Sequence, residues 1–398
     1  MHGKGDLDRM TDVESGVCIV TQPQRNRPSK DHAHDLADVI AEITSVAVLT
    51  ANLPADSPLR DDHEVVEYSA SGTGERVIVE AFRFVMNQLR LCRAIHRRDE
   101  GSVLFFGTTS YLLPILFSRL RGKRVIVLPR GDVPLSLRLR WEQRLPTAVA
   151  RVLAGFVALL EHLNYHLAHA VVTYTPSLAA QLGLERYEDK LYTNGARFID
   201  TEQFDVSVPY EDRERAVGFI GRLDVEKRVT ELVAAAQGLP DDVRFIFVGD
   251  GDYRERLERE LSDEIERGKV EVVGWVGRDD VPEQLNRLRL QIVPSHPTEG
   301  LPTAILEGMA CGTPAYATPV SGVPDVVREG ETGFLMATVD GAVIADEIES
   351  ILRRDDLAET SANARGLIEA EYNFDAAVAR YEDILGPSRG RPDRRRNV

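Results

Sequence analysis

The chain has 398 residues, 43% of them hydrophobic, which is enough for two α/β domains of ordinary size, each with its own core. Its formal net charge of -16 argues against a general nucleic-acid-binding protein, because contacts to phosphates need a positively charged face. The N-terminal residues are polar, and no stretch approaches the roughly 18 apolar residues of a membrane-spanning helix. We therefore expect a cytoplasmic protein without a secretory signal.

Only six of the 48 basic residues are lysine, whereas 64 residues are acidic. An acidic surface poor in lysine keeps a protein soluble at high salt, so we expect a halophilic source. The alternative is an acidic protein from a GC-rich genome, which also favours arginine over lysine.

Short β-branched runs alternate with helical segments along the chain, and this pattern predicts parallel sheets with helical crossovers. In the first half we expect strands at residues 16–21, 45–50, 76–79, 102–106, 124–128 and 170–174, with helices at 31–43, 80–96, 109–120 and 146–168. In the second half we expect strands at 216–220, 244–248, 270–273, 291–294 and 314–317, with helices at 229–237, 253–267, 281–288 and 302–310. Residues 198–215 lack periodicity and are predicted to be an exposed linker.

The strand predicted at 216–220 runs into a short loop of glycine and charged residues, GRLDVEK. Gly221 allows a sharp turn, Arg222 can bind two oxygens of a diphosphate, and Lys227 adds a second positive charge. A solvated charged loop is the alternative interpretation.

The segment 294–307, PSHPTEGLPTAILE, combines a strand end, a loop with Gly300, and a helix for which Pro302 is a suitable first residue. The backbone N–H groups of Leu301, Thr303 and Ala304 would then point out of the helix start. Together with the helix dipole they would bind an anion.

Two glutamates flank this expected anion site. Glu299 lies in the loop, and Glu307 shares a helix face with Thr303, so both are placed to accept hydrogen bonds from hydroxyl groups. A glycosidase pair is the alternative, but its two carboxyl groups would have to lie about 5 Å apart, which an intervening anion site does not favour.

The sequence gives little support for a metal site. Asp250 and Asp252 form a DxD after a strand, a pattern that can hold Mg²⁺, but a glycine turn with an N-cap aspartate is favoured. The cysteines Cys18, Cys92 and Cys311 stand far apart without a CxxC pair and indicate a reducing compartment. We expect no metal and no cofactor.

These residues resemble a known family, the retaining glycosyltransferases with two Rossmann-like domains, called group 1 or glycosyltransferase family 4. The family's Glu-x7-Glu signature stands at Glu299 and Glu307, and its G-R-L-x-x-E-K run stands at residues 221–227. Residues 248–251 and 319–335 resemble its strand-end turn and its glycine-rich closing segment. The resemblance spans about residues 104–385 and is denser after residue 216.

The resemblance implies an α/β fold with two Rossmann-like, doubly wound domains facing across a cleft, the GT-B fold. We accordingly expect an acceptor-side domain at residues 1–205 and a nucleotide-sugar-binding domain at 206–370. A C-terminal helix within 371–386 would cross back to the first domain, and the arginine-rich tail at 387–398 would be disordered.

The resemblance also implies transfer of a hexose-type sugar from a nucleotide-diphosphate sugar to a glycan, lipid-linked or small-molecule acceptor, with retention and without a metal. Arg222 and Lys227 would hold the diphosphate and stabilise the charge of the leaving group. Glu307 would bind ribose hydroxyls and Glu299 those of the donor sugar. The remaining donor contacts are expected from Gly221, Val273, Gly300, Leu301, Pro302 and Thr303.

The first half departs from the family pattern. Residues 22–28, QPQRNRP, stand where many relatives have a glycine-rich loop, and Arg130 stands close to where a histidine often ends a strand. Arg130 would polarise the departing phosphate, but an arginine cannot act as a base at neutral pH. Thr108 and Thr109 are weaker candidates for substrate contact.

A basic region in the first half precedes an apolar stretch at 149–160. It is suited to peripheral contact with anionic lipids at the inner membrane face, beside a lipid-linked acceptor. The alternative is a solvated face beside a buried helix. The basic residues are Arg119, Arg121, Lys123, Arg124, Arg138, Arg140 and Arg144.

Two other functions stay open at this point. One is a non-catalytic module that binds nucleotide sugars, which the altered first half makes plausible. The other is a nucleotide-sugar epimerase on the same fold, which would need a base at the sugar that we do not find.

Overall fold

The computed structural model describes residues 16–21, 28–51, 53, 57–69, 77–109, 111–193, 195, 197–224, 227–296, 298 and 300–386. The chain divides into two compact units. The N-terminal unit comprises Met1–Arg197 and Ala377–Val398, and the C-terminal unit comprises Phe198–Ala376. The predicted tail at 387–398, the loop at 22–27 and Glu299 lie outside the described residues.

The N-terminal unit is built on a seven-stranded sheet in the order β3-β2-β1-β4-β5-β6-β7, in which every pair of neighbours is parallel. Its strands are β1 (Val17–Thr21), β2 (Val46–Ala51), β3 (Glu64–Ser69), β4 (Ser102–Phe106), β5 (Arg124–Leu128), β6 (Ala170–Val172) and β7 (Leu191–Tyr192). Its helices are α1 (Pro28–Ala41), α2 (Leu59–Asp62), α3 (Val77–His96), α4 (Leu112–Leu120), α5 (Val133–Glu142), α6 (Thr147–Leu167) and α7 (Pro176–Gln181).

The C-terminal unit is built on a six-stranded parallel sheet in the order β10-β9-β8-β11-β12-β13. Its strands are β8 (Ala216–Ile220), β9 (Arg244–Val248), β10 (Val270–Gly274), β11 (Leu290–Val293), β12 (Ala315–Ala317) and β13 (Gly333–Leu335). Its helices are α8 (Val229–Gly238), α9 (Arg254–Glu260), α10 (Ser262–Glu266), α11 (Val281–Asn286), α12 (Thr303–Ala310), α13 (Val323–Val326), α14 (Gly341–Leu352) and α15 (Leu357–Glu371). The predicted class of two Rossmann-like units is confirmed.

The last helix, α16 (Phe374–Leu385), begins in the C-terminal unit and ends in the N-terminal one. Arg124, the first residue of β5, holds its end. The Arg124 guanidinium donates to the carbonyl oxygens of Ile384, Leu385 and Gly386 at 2.7–2.8 Å. A cation at the C terminus of a helix satisfies carbonyls that have no partner within the helix.

Four local predictions were wrong. The β-branched run at 76–79 is not a strand, because helix α3 already begins at Val77; the strand is β3, which reads EVVEYS and lies at the sheet edge. The single helix expected at 253–267 is divided into α9 and α10, and Tyr253 instead of Asp252 is the N-cap residue. The remaining two errors concern residues 198–215 and Pro302.

Residues 198–215 are not an exposed linker. Phe204 and Ile199 are fully buried in a core cluster of the C-terminal unit, beside helices α12 and α15. Arg213 is 3% exposed and donates to the carbonyl oxygens of Val208, Leu288, Cys311 and Gly312. The stretch lacks periodicity because its one regular element is a short 3-10 helix at Tyr210–Asp212, and its few apolar residues are anchors.

Candidate functional site

The predicted donor residues follow two neighbouring strands. The chain builds the C-terminal sheet outward from β8 through β9 to β10, and then returns to β11 on the other side of β8. The strand order therefore reverses between β8 and β11. In open α/β sheets, ligands bind at the carboxyl ends of the strands at such a reversal, because the two following loops diverge there and leave a crevice. The loop at 221–227 follows β8, and the loop that leads to α12 follows β11.

Two glycines shape the loop after β8. Gly221 donates its N–H to the Val248 oxygen at 3.0 Å, and Gly249 donates to the Gly274 oxygen at 2.8 Å. Gly249 has φ +137°, and a Cβ atom there would lie 1.9 Å from the Gly221 carbonyl oxygen. The backbones of the β8 and β9 loops can pack this closely only because position 249 has no side chain.

The same two loops are joined again further out. Leu223 donates to the Asp250 oxygen at 2.9 Å, and its own carbonyl accepts from Tyr253 at 3.0 Å. A Cβ atom at Gly251 would lie 2.4 Å from the Leu223 oxygen. Leu223 is fully buried, so the loop is anchored between Gly221 and Asp224.

The anchored loop displays the cations that the sequence singles out. The Arg222 side chain is 63% exposed, and its guanidinium lies 2.6 Å from the Asp224 carboxylate. That carboxylate also accepts the backbone N–H of Lys227 at 3.1 Å, so Asp224 connects the two cations. Lys227 is half-buried directly ahead of α8. The structure thus brings Arg222 and Lys227 into one loop, as the sequence predicts.

Helix α12 starts at the carboxyl edge of β11, and its N-cap residue makes no side-chain hydrogen bond to the helix start. Pro302 is the N-cap residue in extended conformation, not the first helical residue, so the predicted helix start shifts by one position to Thr303. Leu301 is buried and pins the loop, whereas Gly300, Thr303 and Glu307 are half-buried. An uncapped helix start of this kind is suited to an anion.

The loop after β11 is tied to the loop after β12. Thr318 donates its hydroxyl to the Ser295 oxygen at 2.8 Å and its N–H to the Val293 oxygen at 3.3 Å. The hydroxyls of Ser295 and Ser321 are buried without a hydrogen-bond partner among the described residues. Ser321 also has φ +52°, which is rare for a side chain other than glycine. Sequence reasoning missed both serines, since nothing in the sequence distinguishes them from ordinary loop residues.

The remaining candidates of this unit lie further out. Val273 is half-buried in β10, which is two strands away from β8, and packs on a small cluster with Ile246 and Val248. Trp275 is 67% exposed and is therefore not a core residue. Asp250 and Asp252 are exposed, and Asp250 accepts the N–H of Gly251 at 2.8 Å.

In the N-terminal unit, two arginines lie over aromatic rings. The Arg130 guanidinium lies 4.6 Å from the centre of the Phe106 ring, and that of Arg197 lies 4.5 Å from the Tyr174 ring. His32 lies 3.2 Å from Arg197. Burial lowers the pKa of the Arg197 guanidinium. Arg130 belongs to a different unit from Arg222 and Lys227, so its action on the donor stays a prediction.

A cavity of about 410 Å³ in the N-terminal unit contains a buried acid. Glu161 on α6 is 4% exposed and accepts the hydroxyls of Thr108, at 3.2 Å, and Thr109. Burial raises the pKa of the Glu161 carboxyl. The strand order of this sheet reverses between β1 and β4, and the two threonines directly follow β4. Polar residues that line the cavity include Asp132, Arg138, Arg151, Glu161, His162 and Tyr165.

Sequence reasoning found the two threonines but missed Glu161, which lies 53 residues after Thr108. A glutamate on an apolar helix is a signal, because a lone acid among apolar residues at helical spacing has to be buried or paired. The pairing itself depends on the packing of α6 under the β4 loop, which the local sequence does not specify.

Comparison with known proteins bears on the unit that carries the loops after β8 and β11. Residues 200–367, which lie within the C-terminal unit, match the family model described as glycosyl transferases group 1. The C-terminal unit is similar to a glycosyltransferase domain.

Curated relatives extend the similarity. The alpha-D-kanosaminyltransferase of Streptomyces kanamyceticus is 29% identical over 308 residues, which are 73% of this chain and 77% of that protein. The 2-deoxystreptamine N-acetyl-D-glucosaminyltransferase of Niallia circulans is 31% identical over 150 residues, which are 37% of this chain and 38% of that protein. Together these similarities support the interpretation of the chain as a glycosyltransferase.

Solved structures agree on the fold. HepE of Anabaena, crystallised in complex with UDP, matches with a TM-score of 0.70 and 16% identity over 93% of this chain and 99% of that one. Sucrose-phosphate synthase of Thermosynechococcus elongatus matches with a TM-score of 0.69 and 18% identity over 93% and 98% of the two chains. At these identities the likeness establishes the GT-B fold with its two Rossmann-like units and leaves the substrates open.

Proposed function

We propose that the protein is a retaining glycosyltransferase that moves a hexose-type sugar from a nucleotide-diphosphate donor to a glycan, lipid-linked or small-molecule acceptor. The observation that carries this proposal is the reversal of strand order between β8 and β11, because the loops of these two strands carry the cations and the uncapped helix start. A diphosphate needs both kinds of group. The complexes of HepE with UDP and with UDP-glucose support a uridine nucleotide as the first donor to test.

Each donor-site residue has a proposed role. Arg222 and Lys227 neutralise the diphosphate and stabilise the negative charge that grows on it as the glycosidic bond breaks. The backbone at residues 300–303 and the N terminus of α12 bind the remaining phosphate oxygens. Glu307 accepts hydrogen bonds from the ribose hydroxyls, and Glu299 accepts them from the sugar.

We propose that the reaction needs no divalent metal. Two side-chain cations and a helix dipole supply the positive charge that Mg²⁺ provides elsewhere. Asp250 is already engaged with Gly251 and Arg254. Activity that survives a chelator and is not raised by added Mg²⁺ or Mn²⁺ would agree with this assignment, whereas a strict metal requirement would exclude it.

We propose that the cavity beside Glu161 receives the acceptor. Carboxyl and hydroxyl groups converge there at the carboxyl edge of β4 and β5, as a polyhydroxylated ligand requires. The name of the Niallia relative, a 2-deoxystreptamine N-acetyl-D-glucosaminyltransferase, makes aminocyclitols the first acceptors to screen. Two acids that line this cavity, Asp132 and Glu161, would bind a protonated amine of the acceptor.

The test has three steps. Nucleotide sugars are first screened for binding, where a donor at about 100 times its Kd should stabilise the protein by roughly 2.7 kcal/mol. The donor that binds is then incubated with acceptors, and release of free nucleotide is followed. A protein that binds donors but releases no nucleotide would be a binding module, and a changed sugar still attached to the nucleotide would indicate an epimerase. The anomeric configuration of a transferred sugar, read from its NMR coupling constant, tests retention.

Arg222→Ala provides the sharpest variant. Loss of one charged contact to phosphate should weaken donor binding by about 1.5–3 kcal/mol. Arg267→Ala is the matched control, since the Arg267 side chain is 58% exposed and pairs with Glu264. Arg222 is similarly exposed and pairs with Asp224. Arg267, however, precedes β10 and so lies at the amino ends of the strands, whereas Arg222 follows β8 at their carboxyl ends. Equal donor affinity of the two variants would contradict the proposed site.

We also propose that the protein works in the cytoplasm at high salt, as its acidic, lysine-poor composition indicates. Activity and melting temperature should then rise with KCl. Maximal activity in dilute buffer that is lost at molar salt would favour an acidic protein from a GC-rich genome.

A further inference from the structure

Helix α6 turns its apolar face toward solvent. Six large apolar side chains on it are between 40% and 73% exposed. They recur at helical spacing over 15 residues, and the 14 steps between the first and the last correspond to a stripe about 21 Å long. The residues are Val149, Val152, Leu153, Phe156, Leu159 and Leu163.

The opposite face of α6 is polar and faces inward. Glu161 holds Thr108 and Thr109, Asn164 donates to the Thr108 oxygen at 2.7 Å, and Tyr165 is buried. A helix on the surface of a soluble domain normally has the reverse arrangement. The polar contacts hold α6 in this orientation, so its apolar face is exposed in the folded unit.

Helix α4 extends the exposed apolar surface. It packs against α6 and exposes Leu113, Leu116 and Leu120, of which the last is 77% exposed. Leu145, just ahead of α6, is also exposed. We call the exposed apolar side chains of α4 and α6 the apolar face. A contiguous apolar surface of this extent generally marks an interaction site.

The charge of this part of the chain is opposite to that of the rest. Residues 101–169 contain nine lysines and arginines but only three acids, in a chain with a net charge of -16. The three acids are engaged: Asp132 caps α5, Glu142 pairs with Arg138, and Glu161 is buried. Arg121, Arg140, Arg144 and Arg151 are exposed around the two helices.

We propose that the apolar face binds the surface of an anionic lipid bilayer, with the surrounding arginines at the level of the headgroups. Apolar insertion together with positive charge is the combination that holds an interfacial helix on such a surface. A second copy of the chain is a poorer occupant, since a two-fold contact would bring the same arginines against each other.

Helix α6 lies on the bilayer and does not cross it. Among the described residues it is the one helix long and apolar enough to span a membrane, which corrects the expectation that no such stretch exists. However, Glu161 and Asn164 lie within that span and are bound to the β4 loop of the same unit. Crossing the bilayer would break these contacts and bury the two polar groups in lipid. The inference does not depend on sugar transfer.

The test is flotation of the full-length protein with vesicles. At about 0.1 M salt, where screening is moderate, the protein should float with phosphatidylcholine vesicles that contain phosphatidylglycerol and stay behind with phosphatidylcholine alone. Val152→Glu should weaken binding at least about tenfold, since it places a charge in the apolar face. Arg144→Ala should weaken binding to the anionic vesicles about fivefold, the effect of one basic residue near the surface.

Val206→Glu is the matched control, because Val206 is an exposed apolar residue of the C-terminal unit. It should float like the parent protein, and all three variants should keep the parent's melting temperature and donor affinity. Two results would overturn the proposal. One is a parent protein that stays with the soluble fraction in the presence of anionic vesicles. The other is a dimer in solution that Val152→Glu dissociates, which would assign the apolar face to a second copy.

Discussion

Gly249→Ala tests whether the donor loops depend on the close packing of two backbones. The new Cβ atom would lie 1.9 Å from the Gly221 oxygen, so the loops would have to separate by about 1 Å to reach even a tight contact. Gly268→Ala is the matched control. Gly268 also has a positive φ, +72°, but a Cβ atom there would meet nothing within 4 Å.

The magnitudes follow from these two environments. Both variants acquire a strained backbone, which costs of the order of 1–3 kcal/mol. Gly249→Ala must in addition weaken the hydrogen bonds from Gly221 and Gly249, each worth about 0.5–1.5 kcal/mol net. We therefore expect Gly249→Ala to destabilise the C-terminal unit by about 1–3 kcal/mol more than Gly268→Ala.

The assay combines two measurements. Urea unfolding followed by far-UV circular dichroism gives the free energy of unfolding, and titration with nucleotide diphosphates gives the affinity. We expect Gly249→Ala to lower both quantities and Gly268→Ala to lower only the first. Equal unfolding free energies, or an unchanged nucleotide affinity in Gly249→Ala, would show that the loop geometry does not set the binding site.

Two further predictions concern buried charged groups. Because burial raises the pKa of Glu161 above the usual range of a glutamate, the unfolded chain loses this proton at a lower pH than the folded protein. Stability therefore falls as pH rises through the window between the two pKa values. Glu161→Gln should remove this loss of stability. The unfolding free energy of the variant minus that of the parent should therefore grow with pH and then level off. A difference that does not change with pH would contradict a buried carboxyl with a raised pKa. Arg213→Met should cost about 3–5 kcal/mol of stability, since it leaves several buried carbonyl oxygens without a donor. Arg213→Lys should cost less, and a loss below about 1 kcal/mol in Arg213→Met would show that water replaces the guanidinium.

The sequence predicts β8 to β12 to within about one residue because they are short, mainly apolar runs in a parallel sheet, whereas β13 is not predicted. The same rule explains the error at residues 76–79, where a β-branched run forms the first turn of α3. The edge strand β3 reads Glu-Val-Val-Glu-Tyr-Ser, which neither alternates strictly nor forms an apolar run, so its sequence pattern is weaker.

The proposed donor site could be predicted further than the proposed acceptor cavity for a physical reason. Arg222, Lys227 and Thr303 lie in or directly after loops that follow strands, so strand order and local sequence together place them at one edge. Glu161 reaches Thr108 from the middle of a long helix, and only the packing of α6 beneath the β4 loop brings the two together. Ser295 and Ser321 belong to the same class, because their burial is a property of the assembled loops.

Helix α6 shows most clearly what hydropathy leaves open. An apolar stretch at residues 149–160 is compatible with a core helix, a spanning helix or an interfacial one, since periodicity identifies an apolar face without saying what it contacts. Glu161 and Asn164 decide, because their hydrogen bonds to the β4 loop require the polar face to point inward. The buried helix of the alternative interpretation is therefore wrong, because six large apolar residues of α6 are exposed. If the apolar face has a lipid partner, the acid that anchors the helix also places the cavity beside the membrane, where a lipid-linked acceptor would be found.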